Sequence, residues 1–177
     1  MCVIEKGPII ETRRLTLRTP RIDDAARIGE FCGDYAIAKM TTRMPWPYSR
    51  ADADGFVARC QAQDRRRDTT FVIELEDEGV VGVMGFFTPA DGHLEVGYWI
   101  GRPYWGRGVA TEAARGALTW ARNDWRKKVV VAGHFADNPA SGQVLINAGF
   151  LYTGVVEHKA SAARGESVPT RMMVWLA

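Results

Sequence analysis

Residues 104–111, YWGRGVAT, set Gly106 and Gly108 on either side of Arg107, just before VATEAARGALTWARN, which reads as a helix from about 109 to 123. The first turn of a helix carries backbone N–H groups with no partner inside the helix, and these groups together with the helix dipole favour an anion. Glycines let a phosphate reach the backbone with no Cβ in the way. Two readings are open: a pyrophosphate cradle, or a plain turn into the helix. The spacing narrows the ligand. No GxxxxGK[ST] Walker loop is present. Gly106-x-Gly108-x-Ala110 departs from GxGxxG, follows antiparallel strands, and has basic Arg126, Lys127 and Lys128 about twenty residues on, where a Rossmann unit has an acid. NAD therefore fits poorly. An NADP-binding oxidoreductase stays as an alternative, with the basic residues meeting the 2′-phosphate.

Other side chains could do chemistry. Glu95 lies in HLEVGYWIG, two positions before Gly97. A carboxylate there can relay a proton through water, or be a solvated strand residue or ion-pair partner. Asn138 and Ser141 open a helix, where Asn138 suits a cap and Ser141 the first turn. His93, His134 and His158 are isolated and make no metal spacing, so no metal is expected. His134 ends a strand and reads as satisfied by backbone, against the alternative that it faces a cofactor. The three cysteines, Cys2, Cys32 and Cys60, form no CxxC pair and no disulfide framework, which points to a reducing cytoplasm.

These groups must be positioned by a folded frame. The chain has 177 residues and 46% hydrophobic content, enough for one domain with its own core over 1–177. RRLTLR (13–18) alternates like a strand, and a helix follows near 23–33. TTRMPWPY (41–48) reads as an ordered loop, and Ser49 with Asp52 makes a box-like start to a second helix. Strands are expected at 69–76, 80–87 and 93–101, the first two joined by a turn at Asp77-Glu78-Gly79. Gly97 hints at a bulge or a close backbone approach. After the 109–123 helix come a buried strand (128–135), a helix from Asn138-Pro139 to Ala148-Gly149, and closing strands at 150–157 and 168–176. The order is antiparallel strands, then one β-α-β crossover: a mixed α/β (α+β) sheet with helices packed on it. The net charge of +2 is too mild to argue for nucleic acid. No apolar run is long enough to span a membrane, and the N-terminus does not read as a secretory signal.

LEVGYWIGRPYWGRGVATEAARGAL followed by DNPASGQVLINAGF resembles the GNAT superfamily of acyl-CoA-dependent N-acetyltransferases, most of all its RimJ/RimL-like branch of ribosomal-protein N-terminal acetyltransferases. The first block resembles the acetyl-CoA motif [QR]-x-x-G-x-[GA], the second the "N-x-x-S/A … G-F" helix. ETRRLTLR and TTRMPWPY also resemble this branch, so the likeness runs from about residue 10 to 176. It implies a single-domain GNAT-like fold with about seven strands, mostly antiparallel, helices on both faces and a splayed central parallel pair. It also implies acetyl-CoA as cosubstrate and an amine acceptor, either a small molecule or a protein N-terminus. The expected CoA-binding residues are Tyr98, Trp99, Ile100, Arg102, Trp105, Gly106, Arg107, Gly108, Val109, Ala110, Thr111, Asn138 and Ser141, with the loop amides and the strand's unpaired amides making most of the contacts. Glu95 would relay the proton and Ser141 would protonate the leaving thiolate, while Met44, Trp46, Tyr48 and Glu95 would line the acceptor pocket.

Two positions depart from the family pattern. Trp105 stands where [QR] is expected, with Arg102 or Arg107 able to supply the missing charge. The position seven residues after Asn138, where many relatives carry a tyrosine acid, is Leu145. These departures keep a non-catalytic acyl-CoA-binding module as an alternative. A homodimer is left open; neither nucleic acid nor membrane is expected as a partner.

Overall fold

The structure is a computed structural model that describes residues 7–90 and 92–177. Cys2 lies outside the described residues. Eight strands form one sheet: β1 (Ile10–Glu11), β2 (Leu15–Arg18), β3 (Thr69–Leu75), β4 (Gly79–Phe87), β5 (Glu95–Ile100), β6 (Val129–Phe135), β7 (Leu151–Ser161) and β8 (Glu166–Leu176). Their spatial order is β1-β2-β3-β4-β5-β6-β8-β7. The helices are α1 (Ala25–Cys32), α2 (Tyr35–Ala38), α3 (Arg50–Gln61), α4 (Val109–Asn123) and α5 (Pro139–Asn147). The eighth strand beyond the seven expected is the two-residue β1, too short to show alternation.

Every neighbouring pair is antiparallel except β5 and β6. That parallel pair is in register at one position only, Glu95 opposite Val131, where the Val131 N–H donates to the Leu94 carbonyl at 2.8 Å. Beyond it the two strands form no further rung and part towards their carboxyl ends. There β5 leads into α4 and β6 into α5, so both helix N-termini stand at the open end.

Local chemistry fixes these elements. Ser49 caps α3 and Asp52 returns the bond, so the expected box closes. Asp77 and Gly79 both take positive φ at the β3–β4 turn. The apolar stripe of α4 (Ala113, Ala117, Leu118, Ala121) is buried. Trp120 stacks on Trp125, meets Phe71 edgewise and lies tilted against Phe86, closing that face of the core. On the other face α1 and α3 pack together, with Ile28, Phe31 and Val57 in the core. Arg18 is a buried charge held by Asp24 through two bonds of 2.8 and 2.9 Å and by Glu74.

β7 runs to Ser161 rather than the expected 157. It is an edge strand exposed on both faces along most of its length, so it lacks the alternation that marks a half-buried strand. The β7–β8 hairpin tip docks on residues 39–42. The Ala162 N–H donates to the Thr42 carbonyl, Ser161 Oγ to the Thr41 carbonyl, and Arg164 Nε to the Lys39 carbonyl.

Candidate active site

Strand alternation decides which groups face the gap. The Gly101 N–H donates to the Val81 carbonyl, so odd-numbered residues of β5 bond to β4 and even-numbered ones point their N–H and C=O groups towards β6. Past the single rung at Glu95, the Tyr98 and Ile100 backbones therefore face the gap. The Trp99 N–H, expected there too, is turned to β4. Side chains alternate between faces of the sheet. Trp99 meets Phe31 of α1 with ring centroids 6.2 Å apart, and Tyr98 reaches Ser141 of α5 on the opposite face.

The glycine loop forms the rim of the open end. Gly106 and Gly108 take φ of 71° and 74°, the left-handed region that glycine enters freely. Gly108 is the N-cap of α4, and the first bond within the helix runs from the Glu112 N–H to the Gly108 carbonyl. The N–H groups of Val109, Ala110 and Thr111 precede that bond and have no acceptor inside the helix. A Cβ on Gly106 would meet nothing within 4 Å, so the space above the loop is open to a ligand. The Val109 side chain is buried, which leaves only its backbone at the surface.

The charges near this loop differ from those expected. Arg102 turns away and pairs with Asp34 at 2.7 Å. The Arg107 guanidinium lies 5.4 Å from the centroid of the Tyr104 ring. The cation over the loop is Arg14, whose Nη1 donates to the Arg107 carbonyl at 3.0 Å. Glu112 holds it there, accepting from the Arg14 N–H at 2.8 Å, Arg14 Nε at 2.7 Å and Thr12 Oγ1 at 2.7 Å. Burial pushes the Glu112 carboxyl up, but those three hydrogen bonds outweigh it and hold the group below the usual carboxylate range. ETRRLTLR marks the segment, yet nothing in its spacing ties Arg14 to a loop ninety-three residues away. A cleft of about 920 Å³ continues from Gly108 and Thr111 along α4, walled by residues 9–14 and Arg115.

Trp105 has a clear placement. Its indole N–H donates to the Ile100 carbonyl at 2.7 Å, a group that faces the gap past the end of the β5–β6 pairing. The side chain satisfies the carbonyl at the strand end.

Ser141 lies in the first turn of α5, its N–H held by the Asn138 side-chain oxygen at 3.2 Å. Asn138 is thus the cap, as its residue type suggested. Ser141 Oγ is 2.8 Å from Tyr98 Oη. Leu145 is buried and apolar. Beside Ser141, Gly142 has no room for a side chain: a Cβ would lie 2.8 Å from both His134 Nε2 and Tyr152 Oη. His134 Nδ1 is 2.9 Å from the Phe135 carbonyl, which sets that nitrogen as the donor and leaves Nε2 to accept from the Tyr152 hydroxyl at 2.9 Å.

On the opposite face Glu95 stands at the rung where the strands part. Both its oxygens accept from Lys159 Nζ, at 2.9 and 3.0 Å, and Glu157 lies 3.8 Å from the same ammonium. Glu95 is a paired carboxylate, as the ion-pair alternative allowed. Its cross-strand neighbour Phe87 carries the Arg43 guanidinium 3.9 Å from its ring centroid. Lys159 and Arg43 have no sequence signal, since each lies far along the chain from its partner.

The loop residues expected to line the acceptor pocket divide. Met44 is buried in the core. Tyr48 packs against the core beside the Cys32 thiol, and burial pushes both groups up, the thiol to about 12. Trp46 is exposed, rests 4.9 Å from the Tyr35 ring centroid and donates to the Gly33 carbonyl at 3.2 Å. Met44 and Tyr48 pin the loop. Among the described residues no group of three or more His, Cys, Asp or Glu side chains could hold a metal ion, and no helix is long and apolar enough to cross a membrane.

Comparisons with known proteins agree with this geometry. Residues 14–151 match the family described as acetyltransferase (GNAT) domain. The chain is 26% identical over 149 residues to the uncharacterized N-acetyltransferase p20 of Bacillus licheniformis, covering 82% of this chain and 83% of that protein. It is 30% identical over 90 residues to the ribosomal-protein-serine acetyltransferase of Escherichia coli K12, covering 49% of each. Its fold superposes with a TM-score of 0.82 on a GNAT-family acetyltransferase of Bacillus anthracis at 21% identity, covering 96% of this chain and 98% of that one. It superposes with a TM-score of 0.81 on RimL, a ribosomal α-N-protein acetyltransferase solved with coenzyme A, at 19% identity, covering 96% and 98% of the two chains.

Proposed function

The chain belongs to the GNAT acetyltransferase family and is an acetyl-CoA-dependent N-acetyltransferase; we propose that its acceptor is the α-amino group of a protein N-terminus. The likeness to the ribosomal-protein-serine acetyltransferase and to RimL supports this acceptor class. The observation that carries the reaction is the parting of β5 and β6 after one rung, with two helix N-termini at its open end.

The residues fit the cosubstrate. Gly106 has no Cβ and open space where one would lie, and the free N–H groups at 109–111 suit a pyrophosphate. Arg14 adds a fixed positive charge at the same rim. When bound, acetyl-CoA supplies an activated acyl carbon and a thiolate leaving group. The gap-facing Tyr98 N–H is a donor for the oxygen that gains charge on that carbon. Glu95, fixed by Lys159, takes the acceptor amine's proton, directly or through one water. The amine nitrogen bonds to the acyl carbon, and the carbon–sulfur bond breaks. One proton leaves nitrogen and one arrives on sulfur, the latter relayed by the Ser141 hydroxyl, which takes a replacement proton from solvent water as it gives up its own.

A thiol-release assay across amine classes tests the acceptor. A peptide with a free N-terminus should turn over, while the same peptide with a blocked N-terminus and an internal lysine should not. A higher kcat/KM for a polyamine than for every free-N-terminus peptide would overturn the proposal.

A further inference from the structure

We infer that Tyr98 is the positioning residue for Ser141, turning the serine's own proton towards the departing sulfur; this rests on the reading of Ser141 as the sulfur's proton donor. Leu145 removes the option of an acid one turn further along α5. That leaves Ser141, whose single proton can point in only one direction at a time.

Tyr98 Oη has two contacts on this residue: Ser141 Oγ at 2.8 Å and the Ser141 carbonyl oxygen at 3.2 Å. The phenol also has one proton. If it goes to the carbonyl, the contact with Oγ is satisfied only when the serine's proton points back at the phenol, away from the gap. If the phenol proton goes to Oγ, the serine's proton is free to point into the gap. At 2.8 Å the contact suits an O–H···O bond in either direction, and the second arrangement is the one that leaves the serine's proton to the sulfur. Burial keeps the phenol in its donor form through neutral pH, pushing it up to about 12.

The phenol is well placed to hold this geometry. Tyr98 lies in β5 opposite Met84 of β4, so its backbone is fixed by the sheet. The Asn138 cap fixes Ser141 from the helix side. Sheet and helix thus clamp the serine between two partners from opposite directions. A competing role for Tyr98 is purely structural, as a tack that fastens α5 to β5 through the carbonyl contact.

A double-mutant cycle on the full chain separates the two roles, using acetyl-CoA and a free-N-terminus peptide. Tyr98→Phe keeps the ring and removes only the oxygen, so the fold is retained. We expect Tyr98→Phe to lower kcat about 10-fold and Ser141→Ala about 100-fold, with KM for acetyl-CoA within about twofold of the parent. The double variant should be no slower than Ser141→Ala alone, because Tyr98 acts through the serine hydroxyl. A Tyr98→Phe loss that persists in the Ser141→Ala background would overturn the inference in favour of the tack. A slow Ser141→Ala with a full-speed Tyr98→Phe would overturn it too while leaving the serine's role intact. A full-speed Ser141→Ala would overturn both.

Discussion

Lys159 Nζ donates to both oxygens of Glu95, at 2.9 and 3.0 Å, across sixty-four positions of chain. The pair stands at the last rung between β5 and β6, on the face opposite Ser141. A carboxylate and a hydroxyl thus lie on either side of one strand junction. Glu95→Gln keeps the shape and removes the carboxylate charge, and with Glu95 as the proposed base it should lower kcat about 100-fold or more. Steady-state kinetics with a free-N-terminus peptide checks this. Unchanged turnover would leave Glu95 as the partner of Lys159 and nothing more.

The glycine rim gives a prediction with an internal control. Gly108 and Gly79 both take positive φ, 74° and 75°, so alanine at either position costs about 1–2 kcal/mol of strain. For a chain of this size that is a fall of about 2–8 °C in Tm. Only Gly108→Ala should also weaken CoA binding, by about 10-fold in titration calorimetry. Equal affinity in the two variants would remove Gly108 from the cradle.

Gly142→Ala should disturb the start of α5 directly. The new Cβ would fall 2.8 Å from His134 Nε2 and Tyr152 Oη, so one side must move, at about 1–3 kcal/mol. Tyr152→Phe removes one of the two obstructing atoms and should recover part of the lost Tm in the double variant. Thermal melts of the parent, both singles and the double test this.

Acid stability should depend on Asp24. Burial by itself would raise its carboxyl, but the hydrogen bonds from Arg18 and from the Arg21 N–H outweigh that and hold it below the usual range. A carboxylate lowered in the folded state contributes stability that is present above its unfolded value, about 3.9, and is lost as pH falls through the folded value. Asp24→Asn should therefore lower Tm at neutral pH and flatten its fall below about pH 4. Asp24→Ala leaves Arg18 buried without its main partner and should cost about 3–5 kcal/mol at neutral pH. Tm against pH for the three proteins is the measurement.

The sequence made visible what local chemistry decides. The Ser49–Asp52 box, the Asn138 cap, the buried stripe of α4 and the left-handed glycines each depend on residues a few positions apart. Glu95 and Ser141 could be named because they sit inside short motifs. Arg14, Lys159 and Arg43 could not, because each meets its partner only through strand pairing or loop docking across long stretches of chain. Arg102 shows the reverse limit: its place beside the loop suggested a phosphate partner, and only the fold brings Asp34 within 2.7 Å of it. Trp105 shows both. Its departure from the family pattern was plain, but its bond to the Ile100 carbonyl needed the end of β5 in three dimensions.

One rung joins β5 to β6, and that has a mechanical meaning. The sheet is two plates, β1–β5 and β6–β8–β7, meeting along a seam that is laced at Glu95–Val131 and latched where Ala162 meets Thr42. An extended chain with amide groups, lying in the seam, supplies the missing rungs to both plates at once. CoA should therefore slow hydrogen exchange at Tyr98 and Ile100 together with residues of β6, and the two plates should move as one body only while it is bound.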